Sequence, residues 1–384
     1  MWIERQMEQR IIQIVASRPA ILLTGARQTG KTSLLQRLFP DVEFISFDYL
    51  RHVEAVRDSP EHFLNQFKSK VILDEIQYVP ELFRDLKILI DNDRQNNGKW
   101  IMIGSQQFGL MQHISESLAG RISVCHLETL SAGEVRKKTD QIKDFLWKGG
   151  YPELYANPAI GIDDFFESYI RTYIERDLKT IIDVKNLSDF RRFIRMIATR
   201  CGQLLNYKSL SSEVGVSDVT IRKWVHALET SGLIYLLSPY YANVGKRLIK
   251  SPKLYFADHG LLCHLLGVDN SGDWYYHPQK GSLWENFVLM ELVKNYGLIP
   301  GNDLFFYRDQ NGVEIDFVIE KKGNLFFIEA KSGERIDSGK LHFEKVAALF
   351  DKKYKIKKVL AQNINEERVI LNKKYSIYNP LYTT

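Results

Sequence analysis

The chain has 384 residues, enough for two or three domains, and 45% hydrophobic with 26% charged residues is the mix of an ordinary soluble globular protein. A formal net charge of +5 permits nucleic acid as a partner without arguing for it. No run approaches the ~20 apolar residues that a membrane span needs. The charged first ten residues do not read as a signal peptide, and Cys125, Cys201 and Cys263 lack metal-ligand spacing and suit a reducing compartment. The expected location is therefore the cytoplasm, with no membrane partner.

Taken in chain order, Ala20 to Thr24 is an apolar run that predicts a buried strand, and Ser33 to Phe39 predicts a helix stopped by Pro40. Between them Gly25, Ala26, Arg27, Gln28, Thr29, Gly30, Lys31 and Thr32 fit the phosphate-loop pattern G-x-x-x-x-G-K-[ST] at every fixed position. A strand, a glycine-rich turn and a helix N-terminus form an anion cradle, because free backbone N–H groups and the helix dipole point at the ligand. Gly25 to Ser33 are the candidate nucleotide contacts. Lys31 brings a mobile positive charge to the outer phosphates, and the Thr32 hydroxyl is a candidate Mg²⁺ ligand.

Further short apolar runs follow at Glu43–Asp48, Lys70–Asp74, Trp100–Gly104 and Ile122–Leu127. Alternation with amphipathic segments predicts an α/β unit built on a parallel sheet. The run Val71–Glu75 delivers two carboxylates at a strand's C-terminal end, expected beside the end of the loop's own strand. Asp74 is the candidate Mg²⁺ ligand and Glu75 the candidate base that orients the attacking water. At the end of the next strand, Ser105 or Gln106 is a candidate sensor of the outer phosphate, with a plain polar loop as the alternative. Arg121 precedes the fifth strand; it is either a surface arginine or a group that reaches a neighbouring subunit's nucleotide in a ring. No Asn-Lys-x-Asp motif is present, which favours adenine over guanine.

The Gly149–Glu153 stretch breaks regular structure and ends this unit. Residues 162 to 200 have helical periodicity. Tyr207–Val214 predicts a short helix, Gly215-Val216 a tight turn, Ser217 the N-cap of a second helix reaching Ser231, and Leu233–Leu237 a strand. This order is that of a helix-turn-helix with a β wing. Arg222 and Lys223 on the second helix, with Lys246 and Arg247 near the wing, are candidate nucleic-acid contacts; a lid or protein-docking role is the alternative.

From Lys253 onward a third α/β unit is expected, with strands at Leu304–Tyr307, Val313–Ile319, Leu325–Ala330 and Lys358–Ala361 and a helix over 281–296. Asp316 projects from one strand. Glu329 and Lys331 alternate on the next and so share a face. The expected domains are 1–150, 151–250 and 251–384.

These motifs together resemble the AAA+ superfamily of P-loop ATPases, and nearly the whole chain is similar to a prokaryotic family that joins such a domain to a C-terminal domain of unknown function. The matching stretches include Leu73–Gln77, Ser117–Arg121, Gly149–Glu153, Tyr173–Leu178 and Pro252–Asp258. The resemblance implies ATP binding, hydrolysis with Mg²⁺, and a homo-oligomer. The C-terminal unit resembles the PD-(D/E)xK restriction-endonuclease-like core, in which Asp316 and Glu329 would hold Mg²⁺, Lys331 would position water and Glu285 would be the accessory acid. The leading expectation is an ATP hydrolase whose cycle drives the downstream modules. A nucleotide-gated DNA-binding protein or DNA nuclease, and a protein-interaction scaffold, stay open.

Overall fold

The computed structural model describes residues 2–104, 117–138, 142–174, 187–241, 250–336, 339, 341–350, 354–365, 369–371 and 374–382. Its contacts divide into two compact units, one of residues 2–129 with 230–232 and one of residues 130–229 with 233–384. The first boundary therefore falls at residue 130 rather than 150.

In the first unit, helix α1 (Glu8–Ser17) precedes β1 (Ala20–Thr24), and α2 (Lys31–Leu38) follows it. Then come β2 (Glu43–Ser46), α3 (Leu50–Asp58), α4 (Pro60–Asn65), β3 (Val71–Asp74), α5 (Leu82–Asn92), β4 (Trp100–Ile103) and β5 (Ile122–His126). The strands form one parallel sheet in the order β2-β3-β4-β1-β5. Its strands are apolar on both faces, which is what helices on both sides require. Leu22, Leu73 and Met102 pack on one face with Phe47, Leu86 and Ile90. Ile21, Leu23, Ile72, Ile101 and Ile103 pack on the other with Val15, Leu34 and Leu35. Side-chain alternation along a strand produces this division. The strand order corrects one expectation. β4 lies between β1 and β3, so the acids of β3 emerge one strand away from the loop rather than beside it.

In the second unit, α6 (Ile162–Tyr169) and α7 (Leu187–Ala198) lie in the helical stretch. Next are α8 (Tyr207–Val214) and α9 (Asp218–Thr230), joined through Gly215 at φ 86°, a left-handed turn that a side chain would strain. The strands β6 (Ile234–Leu237) and β7 (Lys253–Phe256) pair antiparallel. The β6–β7 ladder spans residue 250, where the third domain is expected to begin.

Helix α10 (Lys280–Tyr296) precedes β8 (Leu304–Arg308), β9 (Glu314–Lys321) and β10 (Asn324–Lys331), which form an antiparallel meander. Helix α11 (Phe343–Ala347) follows, then β11 (Lys355–Gln362), which pairs parallel with β10. β12 (Ile370–Leu371) and β13 (Ser376–Tyr378) complete a six-stranded sheet in the order β12-β13-β11-β10-β9-β8. Val313, Ile315, Val318, Leu325, Phe327 and Phe343 form a core within it. Among the described residues no helix is long and apolar enough to cross a membrane, and the three cysteines are buried and unbridged.

Candidate functional site

The loop between β1 and α2 takes its shape from three backbone positions in the left-handed half of φ space: Gly25 at 146°, Gln28 at 60° and Gly30 at 89°. Gly25 has a second constraint, because a Cβ there would stand 2.3 Å from the Leu127 carbonyl oxygen. Gly30 caps α2, so the first N–H groups of that helix open into the turn. The Lys31 ammonium is folded back inside its own loop and donates to the Gly25 carbonyl at 2.9 Å and the Ala26 carbonyl at 2.8 Å. Lys31 is buried, and loss of solvent draws its pKa down to about 8 in spite of Glu75 and Asp74 nearby.

Across β4, the Thr32 hydroxyl lies 3.5 Å from both carboxylate oxygens of Asp74. Burial, and then the adjacent Glu75, raises the Asp74 carboxyl to about 6. Glu75 itself sits at φ 55°, an uncommon conformation for a side-chain-bearing residue, and its carboxylate accepts from the Gln77 amide. A buried ammonium, a hydroxyl, a buried carboxyl and a second acid beside it are a donor set that Mg²⁺ and a triphosphate would engage together. The residues fit that ligand.

The crowding has a measurable consequence. A carboxyl whose folded pKa is raised stabilises the fold fully below its ordinary value near 4 and loses that contribution as pH rises through about 6. Nucleotide-free protein is therefore penalised at Asp74 at neutral pH. Asp74→Asn is expected to raise unfolding stability at pH 8 by on the order of 1–2 kcal/mol, with little change at pH 4. Urea unfolding at the two pH values checks it, and a variant less stable at pH 8 would remove the electrostatic account of this site.

The other expected residues of this unit stand differently. Arg121 is engaged within the chain: its guanidinium donates to both oxygens of Asp91 on α5 at 2.8 Å, and to the Ala119 carbonyl. That pairing holds the Asp91 carboxyl well below the usual carboxylate range. Any reach toward a neighbour must first break it. Ser105 and Gln106 lie outside the described residues.

In the second unit, Arg222 bonds Asp218 at 3.0 Å and stacks on Tyr207 at 4.0 Å, while Lys223 is exposed. Lys246 and Arg247 lie outside the described residues. On the C-terminal sheet, the β9–β10 register runs to Phe317 opposite Ile328, and continuing it sets Asp316 opposite Glu329 and Glu314 opposite Lys331. Lys331 accordingly meets Glu329 at 2.6 Å and Asp316 at 3.7 Å, and Asp316 accepts the Ala330 N–H at 2.8 Å. Glu285 on α10 joins the same face, so all four residues expected there do converge. They are not alone. Lys253 from β7, only 2% exposed, donates to Glu285 at 2.8 Å and pairs with Glu314, and the Tyr255 hydroxyl donates to Glu285 at 2.6 Å. Burial pulls the Lys253 ammonium down, but Glu285, Asp316 and Glu314 outweigh it and hold it above its ordinary value. Burial also raises Glu285 and Glu329.

A family model described as an AAA domain matches residues 17–136. Models described as domains of unknown function, DUF8612 and DUF4143, match residues 139–272 and 280–380. Uncharacterized protein Rv2008c of Mycobacterium tuberculosis is 33% identical over 332 residues, covering 85% of this chain and 73% of that protein. The chain belongs to the Rv2008c family. An uncharacterized protein of Haemophilus influenzae is 22% identical over 357 residues, 84% of each chain. Among solved structures, the Walker-type ATPase PABY2304 of Pyrococcus abyssi is 15% identical with a TM-score of 0.46, over 69% of this chain and 96% of that one.

In this member of the Rv2008c family, the loop and the C-terminal cluster also contact residues that carry no recognisable signal in its sequence. Arg5 donates to the Thr29 carbonyl at 2.8 Å and the Glu128 carbonyl at 2.6 Å, tying the loop to the chain just beyond β5. Nothing distinguishes it from the other early charges. Gln77 lies two residues beyond Glu75 and was legible only as part of a longer match. Lys253 and Glu314 were hidden for a different reason: their partners are 32 and 61 residues from Lys253 in the sequence, and only the tertiary fold joins them.

Proposed function

We propose that the protein binds and hydrolyses ATP with Mg²⁺, and that the nucleotide state is passed to the helical and C-terminal parts of the chain. The observation that carries this reading is the arrangement around β1. A glycine-shaped loop opens at a helix N-terminus, with a buried lysine inside it and Thr32 poised against Asp74 of β3. The AAA-domain match over residues 17–136 supports it.

Backbone N–H groups of residues 25–33 would bind the phosphates, and the Lys31 ammonium would leave the Gly25 and Ala26 carbonyls for the outer phosphates. Thr32 and Asp74 would hold Mg²⁺, which supplies charge neutralisation to the phosphoryl oxygens. Glu75, fixed through Gln77, would orient the attacking water and accept its proton. Arg121 in trans, and the ring it implies, belong to this proposal too, with release of Asp91 as the required first event.

A winged-helix reading of residues 207–256 is supported by the order of helix, glycine turn, helix and paired strands. A second reading, a DNA nuclease, has one observation in its favour: Glu285, Asp316, Glu329 and Lys331 meet on one face. The decisive experiment is phosphate release from ATP by the purified chain, with Mg²⁺ and with or without linear and branched DNA. Mg²⁺-dependent release supports the ATPase reading. DNA cleavage without any ATP turnover would put the second reading first.

A further inference from the structure

The nuclease resemblance calls for a divalent cation on the C-terminal carboxylates, and the residues present do not fit one. Glu285, Glu314 and Asp316 each bring a carboxylate oxygen within 4.8 Å of the others. The Lys253 ammonium is already bonded to two of these three, Glu285 and Glu314. Glu314 is also reached by Arg308 at 2.9 Å, and the other two acids are engaged as well: the Ala330 N–H meets Asp316, and Lys331 pairs with Glu329. Four carboxylates face three positive charges, those of Lys253, Arg308 and Lys331.

Lys253 is only 2% exposed and its ammonium is paired with both Glu285 and Glu314. Its strand β7 is held by the β6 ladder, and Asn286 of α10, fully buried, accepts the Phe256 N–H at 2.7 Å and donates to the Phe256 carbonyl at 3.1 Å. The Gly202 N–H adds a bond to the Leu254 carbonyl at 2.8 Å. These contacts fix the backbone of β7 beside the cluster, and burial with two ion pairs holds the ammonium within it.

We infer that Lys253 is the resident cation of this cluster, standing where a divalent metal would otherwise sit, so that the nuclease-like face is metal-free in the intact chain. A lysine from the strand paired with β6 supplies the counter-charge that a nuclease would take from solution. Removing it exposes buried acids to one another, a situation that costs stability unless another cation enters. The inference does not rest on the ATPase reading, since all three proteins in the test are free of nucleotide.

The experiment is Mn²⁺ binding to full-length, nucleotide-free protein by electron paramagnetic resonance, together with thermal unfolding with and without Mn²⁺. Wild type is expected to take up no Mn²⁺ that Asp316→Asn abolishes, and to melt at the same temperature with or without the ion. Lys253→Met is expected to melt several degrees lower, to bind Mn²⁺ at least about tenfold more tightly than wild type, and to regain its melting temperature when Mn²⁺ is added. A folded Lys253→Met protein that gains no Mn²⁺ binding overturns the inference. If that variant does not fold, the wild type decides alone: uptake lost in Asp316→Asn overturns the inference, and its absence supports it.

Discussion

Lys31→Ala is expected to lower ATP affinity by about a hundredfold or more and to abolish turnover. The ammonium is a buried charge at the mouth of α2, and charged hydrogen bonds to phosphate are worth roughly 1.5–3 kcal/mol each, at about 1.4 kcal/mol per factor of ten. The folded protein should survive the change. A base whose folded pKa is depressed loses stability as pH falls through that value, here about 8, so at neutral pH Lys31 already carries a burial penalty that alanine removes. The loss of two bonds to the Gly25 and Ala26 carbonyls offsets part of this gain. Isothermal titration with ATP, alongside a melting curve, separates lost binding from lost folding. Tight binding by a folded Lys31→Ala protein would remove the loop from the account.

Glu75→Gln should leave binding nearly unchanged and still cut turnover. Glutamine keeps the size of the side chain and its place at the left-handed backbone position, and it still presents a carbonyl oxygen to the Gln77 amide. What it loses is the ability to accept a proton. General-base assistance contributes about 10²–10⁴-fold, so hydrolysis is expected to fall at least a hundredfold while ATP affinity stays within about threefold of wild type. Single-turnover phosphate release after mixing enzyme with ATP and Mg²⁺ measures it. If Glu75→Gln turned over normally, Asp74 or a residue beyond those described would have to be the base.

The two variants bracket what could be read from the sequence alone. The loop was legible because its chemistry is local: eight consecutive residues, a strand before and a helix after, all within reach of short-range backbone rules. The alternation that joins Glu329 and Lys331 is legible for the same reason, and the register then brings Asp316 to them. Strand order is another matter. Nothing in the runs 20–24, 71–74 and 100–103 says that β4 inserts between β1 and β3, because crossover helices rather than strand residues decide neighbours. The same limit hid the partners of Arg121, Arg5 and Lys253. Each is a charged side chain whose surroundings come from a distant segment, and its own neighbours in sequence do not distinguish it from a solvated one. At Lys253 the difference matters most, since its salt bridges to Glu285 and Glu314 place a cation beside the expected metal ligand Asp316.

The measurement that bears most directly on the central claim is a crystal structure of the chain with Mg²⁺ and a non-hydrolysable ATP analogue. The account predicts the outer phosphates within hydrogen-bonding distance of the loop amides, Lys31 turned from the Gly25 and Ala26 carbonyls onto them, and the metal shared by Thr32 and the Asp74 side. A loop without nucleotide at saturating analogue, or a bound analogue with Lys31 still folded into its own loop and Asp74 turned from the metal, would contradict it.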